Sequence, residues 1–470
     1  MLKYRSLLGL SNARVATQVS RCRPRNISRA SSSQISGGLA THLTRASASA
    51  AALRPRSLED APQELPEVSP DDLPIISTGD NKVAIGWDTR TWSRFHNIWL
   101  RDHCRCPKCF HAITKQRLVD TFEIPHDIIP VRVEPKVEGL EVSWPSTDPH
   151  VSVYPWSWLQ RNSYDPVIHK PDAAKEKILW GAKIEQSPPA VTYEEMMAGD
   201  DKGLFKSLTN IASVLPPTPE STEKLVQRIG FIRETQYGRF WDFTSDLAKG
   251  DMAYTTLALG AHTDTTYYTD PCGLQVFHLL SHTDGSGGAS LLVDGFYAAS
   301  ILKELHPESY ELLSRVHVPA HAAGEPSAIY RPYPPSGYPV LGHNPVTGEL
   351  AQVRWNNDDR SVMNHLDPQL VEQWYNAIRA WNQCITSPDS EFWIQLQPGT
   401  TVVIDNHRVL HGRSAFDGKR RMCGAYVGVD EYRSKLAVLT EKFAPDAVLR
   451  ATNELPMAVV NGRNIWNSAL

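Results

Sequence analysis

At 470 residues, with 41% apolar and 21% charged side chains, the chain has the make-up of a globular protein with room for more than one core. Its formal charge of −4 hides an asymmetry, because no acidic residue precedes Glu59 while ten Lys and Arg residues do. Taking those ten from the total of 48 leaves 38 basic against 52 acidic side chains, a charge of −14 that argues against a nucleic-acid partner for the folded part.

Residues 1–58 are Arg-rich, Ser-rich and acid-free, and open on MLKYRSLLGL, where apolar and basic residues recur at helical spacing. That composition describes a mitochondrial transit peptide and predicts an address in the matrix. The other reading is a basic tail for nucleic acid or a membrane surface. No apolar run approaches the roughly 18 residues of a membrane span. Residues 59–75 (EDAPQELPEVSPDDLPI) are acidic and Pro-rich and read as a linker. From 76 to 160 come short β-type runs, KVAIGW, GLEVSWP and HVSVYP, with WSRFHNIWLRDHC between the first two, so a small β-rich domain is expected there. A second linker spans 161–177, and a larger domain covers 178–470.

In that larger domain STEKLVQRIG reads as a short amphipathic helix with Ser221 as N-cap and Gly230 at its end. LLVDGF, YPVLGH, WIQL and TTVVID are strand-like, and HPESYELLSRV is helical. DPQLVEQWYNAIRAWNQCI is also helical, with Leu370, Trp374, Ile378 and Trp381 on one stripe. Many separated strands with a few helices predict a mainly β fold, a double-sheet barrel with helical support, rather than an alternating βαβ sheet. There is no internal repeat, no GxGxxG and no P-loop.

Three of the seven cysteines cluster in WLRDHCRCPKC, as Cys104, Cys106 and Cys109. Three thiolates so close need one more ligand to complete the tetrahedral site that zinc prefers. His150, at the start of HVSVYP, fits, and His103 and His111 compete with it. No open coordination position is suggested, so such a zinc is structural. A redox thiol pair or simply buried cysteines are the other readings. The absence of a secreted disulfide pattern fits a reducing compartment.

GAHTDTTYY, residues 260–268, sets His262 two residues before Asp264. In a strand, residues i and i+2 share a face, so imidazole and carboxylate can converge on a metal. One more His would complete the 2-His-1-carboxylate set of non-haem iron(II) oxygenases, which leaves three positions open. TTVVIDNHRVLHGRSAF offers His407 and His411, while His278, His282, His317, His321, His343 and His365 compete on composition alone. Arg413, Arg420 and Arg421 follow and could hold the far carboxylate of a 2-oxo acid with a bidentate fork. Before the pair, YGRFWDFTSDLAKGDMAYTT is dense in aromatics, and Tyr237, Trp241 and Tyr254 could offer π-faces to a quaternary ammonium.

HTDTTYY, PCGLQVFHLL, LLVDGFYAA and IDNHRVLHGR together resemble the γ-butyrobetaine and trimethyllysine dioxygenases, a group of taurine-dioxygenase-like enzymes that use Fe(II), 2-oxoglutarate and O2. The resemblance runs from about 80 to 435, with its motifs in order. It implies a double-stranded β-helix, or jelly roll, for the large domain and a zinc-binding small domain held by three Cys and one His. It also implies His262, Asp264 and His411 as iron ligands, Arg420 in RRMCGAY as the 2-oxoglutarate arginine with Arg421 as the near alternative, and Ser290 close to the co-substrate. A homodimer follows from the resemblance alone.

Within that family two substrates must be told apart. Both carry a trimethylammonium group, which has no N–H to donate and suits an aromatic box. Trimethyllysine adds an α-ammonium group, for which Asp251 is a candidate partner, and Asn356 in RWNNDDR is a candidate for the substrate carboxylate. The fuller pattern and the mitochondrial address favour the trimethyllysine members, hence hydroxylation of N6,N6,N6-trimethyllysine at C3, the first step of carnitine biosynthesis. The alternatives are γ-butyrobetaine hydroxylation, another 2-oxoglutarate oxygenase acting on a sulfonate or amino acid, a hydrolytic zinc enzyme, and a zinc-containing binding module without activity.

Overall fold

The computed structural model describes residues 73–148, 150–168, 178–209, 213–214, 218–244, 255–322, 331–334 and 336–444. The expected transit peptide, most of the first linker and the chain beyond 444 lie outside these.

Two three-stranded antiparallel sheets make up the first region. Ile75–Thr78, Lys82–Gly86 and Trp92–His96 form one, and Arg132–Lys136, Gly139–Trp144 and His150–Tyr154 form the other. Alternation along the strands buries Val83, Ile85 and Phe95 from the first against Leu140, Val142, Trp144 and Tyr154 from the second. The folded text runs past the expected end at 160. Tyr164 accepts from the His96 N–H through its hydroxyl at 2.8 Å, and Lys82 donates to Asp165 at 2.9 Å, so the first residues of the second linker pack back on the sheet.

The larger region is a two-sheet sandwich of the jelly-roll kind. Its wider sheet has the order Ile232–Arg233, Lys419–Val427, Leu274–Thr283, Thr400–Asp405, Ser213–Val214, Val191–Thr192, with Trp241–Thr244 also on Lys419–Val427. The narrower sheet runs Leu259–His262, Val409–Arg413, Ser290–Asp294, Glu391–Ile394. Side chains of both meet in one layer, with Phe277, Leu279, Val402, Ile404 and Met422 against Val409, Leu292 and Ile394.

Helices cover both outer faces. Pro219–Ile229 and Val429–Phe443 pack on Leu274, Val276, Val403, Ala425 and Val427, while Gly295–Leu305, Pro307–Arg315 and Val371–Ile385 pack on Leu291, Val293 and Leu410. In the last of these helices Trp374 and Trp381 of the expected stripe are fully buried, while Leu370 belongs to a preceding 3-10 turn. Among the described residues no helix is long and apolar enough to cross a membrane.

Two local expectations need correcting. The helix expected from Ser221 starts earlier, because Thr218 caps it by accepting from the Ser221 N–H and Pro219 takes the first helical position, where a missing N–H costs nothing. The strand read as LLVDGF stops at Asp294, whose carboxylate accepts from the Phe296 N–H and so starts the next helix. That helix, GFYAASILKEL, is apolar on most sides and carries little amphipathic signal.

Candidate metal centres and active site

Strand Leu259–His262 pairs antiparallel with Val409–Arg413, and the register sets His262 opposite His411. Beyond His262 the chain leaves the sheet and is caught by Asn406. Its Oδ1 accepts from the Asp264 N–H at 2.7 Å and its Nδ2 donates to the Asp264 carbonyl at 3.0 Å. Thr265 follows at φ 57°, unusual for a β-branched residue, with its hydroxyl accepting from the Cys272 N–H at 2.9 Å.

The result is convergence. Nε2 of His262 and of His411 lie 3.3 and 3.7 Å from Asp264 Oδ1, and one ligand atom from each of the three falls within 4.8 Å of the others. Nδ1 of His262 donates to the Gly260 carbonyl at 2.8 Å, which fixes the ring and turns Nε2 toward Asp264. Burial disfavours charge on Asp264, yet His411, His262 and the Tyr426 hydroxyl outweigh it and hold the acid well below the ordinary carboxylate range. Burial likewise works against a charged His262, but its hydrogen bond to Asp264 and that residue's charge raise it. Burial and the nearby His262 push His411 down to about 3, so this ring is neutral. No fourth His, Cys, Asp or Glu joins the set among the described residues. Two imidazole nitrogens and one carboxylate oxygen with no further protein donor fit a non-haem iron(II) site.

The wider sheet lines this site with every second residue. Gln275, Phe277 and Leu279 stand opposite Tyr426, Gly424 and Met422. Gln275 Nε2 and the Tyr426 hydroxyl both donate to Asp264 Oδ2, at 2.6 and 2.8 Å. The Phe277 ring lies 5.8 Å from that of His411. Arg420 shares the inward parity and is only 5% exposed, whereas Arg421 turns outward and makes hydrogen bonds of 2.9 and 2.6 Å to Asp242. Burial and the charge of Arg413 bring Arg420 down to about 10, still charged at neutral pH. Arg413 itself donates to the Thr255 and Leu257 carbonyls at 2.7 and 2.9 Å, and both guanidiniums lie against Phe416. Ser290 is buried directly across from Arg413.

Of the aromatic trio, Trp241 packs against Phe277 and Met422 over Gly424. A Cβ at Gly424 would come within 2.4 Å of the indole, so only glycine leaves room for it. The Tyr237 hydroxyl sits 3.4 Å from that of Tyr267, which accepts from Gln236 Nε2 at 2.7 Å. Tyr254 and Asp251 lie outside the described residues. Asn356 donates to Asp359 at 2.7 Å and accepts from the Asp358 N–H, so part of its amide is taken up by its own turn. The charge of Asp359 reaches His262 and Tyr267.

The second cluster lies in the small region. Sγ of Cys104, Cys106 and Cys109 are 3.4, 3.8 and 3.5 Å from His150 Nε2, and the four ligand atoms lie within 4.8 Å of one another. A hydrogen bond from the Cys104 thiol, helped by Arg101 at 3.2 Å, holds Cys109 well below the ordinary thiol range. The competing histidines are engaged elsewhere. His103 stacks on Trp99 and bonds its carbonyl, and His111 bonds the Thr114 N–H on an exposed hairpin. The six described cysteines form no disulfide. Three sulfurs and one nitrogen closing on a point fit zinc.

Comparison with known proteins follows the same division. Residues 208–426 match the taurine catabolism dioxygenase TauD, TfdA family, and residues 75–160 match the gamma-butyrobetaine hydroxylase-like N-terminal family. Trimethyllysine dioxygenase of Meyerozyma guilliermondii is 42% identical over 389 residues, which span 78% of this chain and 96% of that relative. The chain belongs to the trimethyllysine and γ-butyrobetaine dioxygenase family. Mitochondrial trimethyllysine dioxygenase of Homo sapiens is 44% identical over 350 residues, covering 73% of this chain and 82% of its own. Gamma-butyrobetaine dioxygenase of Pseudomonas is more distant, 32% identical over 387 residues, covering 80% and 97%.

For a dioxygenase of this family, the sequence reading missed the residues that hold the ligands. Asn406, Gln275, Tyr426, Gln236 and Tyr267 are tied to the site by bonds that span 11 to 162 positions. One signal was available for Tyr426, because it shares the parity of Arg420 in RRMCGAY. His407 is buried on the other side of its turn with Nε2 at 3.3 Å from the Pro271 carbonyl, apart from the cluster.

Proposed function

We propose that this chain hydroxylates N6,N6,N6-trimethyllysine at C3, giving 3-hydroxy-N6-trimethyllysine in the first step of carnitine biosynthesis. The observation that carries it is the convergence of His262, Asp264 and His411 inside the barrel that also buries Arg420, in a chain 42% identical to a trimethyllysine dioxygenase over nearly that relative's whole length. His262, Asp264 and His411 would hold Fe(II), and Arg420 would take the far carboxylate of 2-oxoglutarate with a two-pronged hydrogen bond, Ser290 lying close by. Bound there, Fe(II) supplies the redox chemistry by which O2 converts 2-oxoglutarate to succinate and CO2 while one oxygen atom enters a substrate C–H bond.

The chain's own residues do the placing. Trp241 and Tyr237, with Tyr254 from outside the described residues, would face the trimethylammonium group, which offers charge but no N–H. Asp251 would meet the α-ammonium and Asn356 the carboxylate. Phe277, Leu279 and Met422 keep the space beside the ligands apolar and exclude water from it. No general base is required.

The remaining assignments complete the proposal. Cys104, Cys106, Cys109 and His150 would bind a structural zinc in a small domain spanning about 76–160, joined through 161–177 to a catalytic domain from 178 onward. Residues 1–58 would direct the protein to the mitochondrial matrix, in keeping with the mitochondrial relatives, and a homodimer is proposed on family resemblance.

The test is anaerobic loading with iron, followed by 2-oxoglutarate and air with trimethyllysine or γ-butyrobetaine in separate reactions. Hydroxylated trimethyllysine with matching succinate is expected. Product from butyrobetaine alone would overturn the substrate, and bound iron without turnover on either would overturn the activity.

A further inference from the structure

Asp264 turns its two oxygens to different partners. Oδ1 faces the Nε2 atoms of His262 and His411 at 3.3 and 3.7 Å, while Oδ2 accepts from Gln275 Nε2 at 2.6 Å and from the Tyr426 hydroxyl at 2.8 Å. A carboxylate without such partners can rotate, or can wrap a divalent ion with both oxygens. Either change would alter how many positions on the ion stay open.

Gln275 and Tyr426 are cross-strand partners in the wider sheet, and each is 6% exposed, so water competes little for Oδ2. Because Nε2 faces Oδ2, turning the amide over would set Oε1, which has no partner among the described residues, against a carboxylate oxygen. Asn406 grips the Asp264 backbone through its N–H and its carbonyl, which fixes the root of the side chain. The two strands are already paired from Leu274 to Thr283, so the sheet does not depend on these side chains.

We infer that Gln275 and Tyr426 are positioning residues that lock Asp264 as a one-oxygen ligand, presenting Oδ1 alone and keeping the rest of the metal's face free for co-substrate. The inference rests on the metal reading of His262, Asp264 and His411.

It is tested on the full chain after chelation, by titration with Co(II). Visible ligand-field absorption reports the oxygen and nitrogen donors, and thiolate bands set the cysteine cluster apart. Tyr426→Phe and Gln275→Met should each weaken Co(II) binding at the His/Asp site about ten- to a hundredfold. The band shape should change as the second oxygen is released, with the thermal midpoint of the metal-free protein held. If Asp264→Ala loses the ion while both variants keep wild-type affinity and spectrum, the metal reading stands and this inference fails. A midpoint that falls while affinity holds makes the pair merely structural, and also overturns it. If Asp264→Ala binds Co(II) as the wild type does, the metal reading itself is wrong.

Discussion

The two ligand clusters in this chain are built on opposite plans. In the small region, three donors come from one turn, Cys104 to Cys109, and the fourth from the start of a nearby strand, so four ligand atoms close on a single point. In the barrel, two donors come from one strand end and the third from a strand about 150 residues later, and no fourth donor joins them among the described residues. The first plan suits a metal that staples a small core. The second suits a metal that must keep positions open for reactants. The hydrogen bonds around them differ accordingly. The cysteine set has Arg101 against the Cys109 sulfur and the Cys106 N–H against that of Cys104, whereas Asp264 by itself is held through its N–H, its carbonyl and its outer oxygen.

The comparison breaks most visibly at a cysteine. Cys104→Ala should cost the small region most of the binding energy of a structural zinc, on the order of 10 kcal/mol, because that energy is also folding energy. Limited proteolysis should then cut within residues 75–165 while the barrel persists, and a variant that keeps its zinc content and protease resistance would end the staple reading. His411→Ala should do the reverse. Succinate and hydroxylated product should fall to background, while the thermal midpoint of the metal-free protein changes little.

Acid should strike the barrel at a place unrelated to either cluster. His278 is fully buried, bonded to the Thr222 hydroxyl at 2.7 Å, and burial holds it down to about 4. The unfolded chain takes up this proton below about pH 6.5 and the folded one does not until about 4. Stability is therefore intact above 6.5 and is lost as pH falls through that window, by up to about 3 kcal/mol. Urea unfolding of the wild type against His278→Gln across pH 4 to 7 checks the slope, which should flatten in the variant.

The smallest expected effect separates two adjacent arginines. Arg420→Ala should raise the KM for 2-oxoglutarate about thirtyfold, from roughly 2 kcal/mol of lost charge-assisted hydrogen bonding. Arg421→Ala, which breaks the exposed pair with Asp242, should leave that KM where it was. Equal effects at both positions would place the co-substrate elsewhere.

Much of this was legible in the residues themselves, wherever the information is local. The H-x-D pair, the C-x-C-x2-C spacing, the strand runs and the tryptophan stripe of Val371–Ile385 each depend on a few neighbouring positions, although the strand ends at His262 and it is Asn406, not the strand period, that brings Asp264 to the site. Other features depend on pairing between distant segments. Spacing alone leaves both His407 and His411 as candidates; family resemblance favours His411, and the register that sets it across from His262 gives the physical reason. Arg420 is preferred to Arg421 by resemblance in RRMCGAY, but the physical difference between them is parity, which has no meaning until the face of Lys419–Val427 that meets the other sheet is known. Gln275, Asn406 and Tyr426 lie within the matching stretches, but spacing gives them no role, because a side chain that fixes a ligand needs only to end within about 3 Å of it. That distance belongs to the folded chain. Composition and local spacing were enough to name the metal-binding residue types, and the pairing of strands far apart in the sequence decided which of those residues face one another.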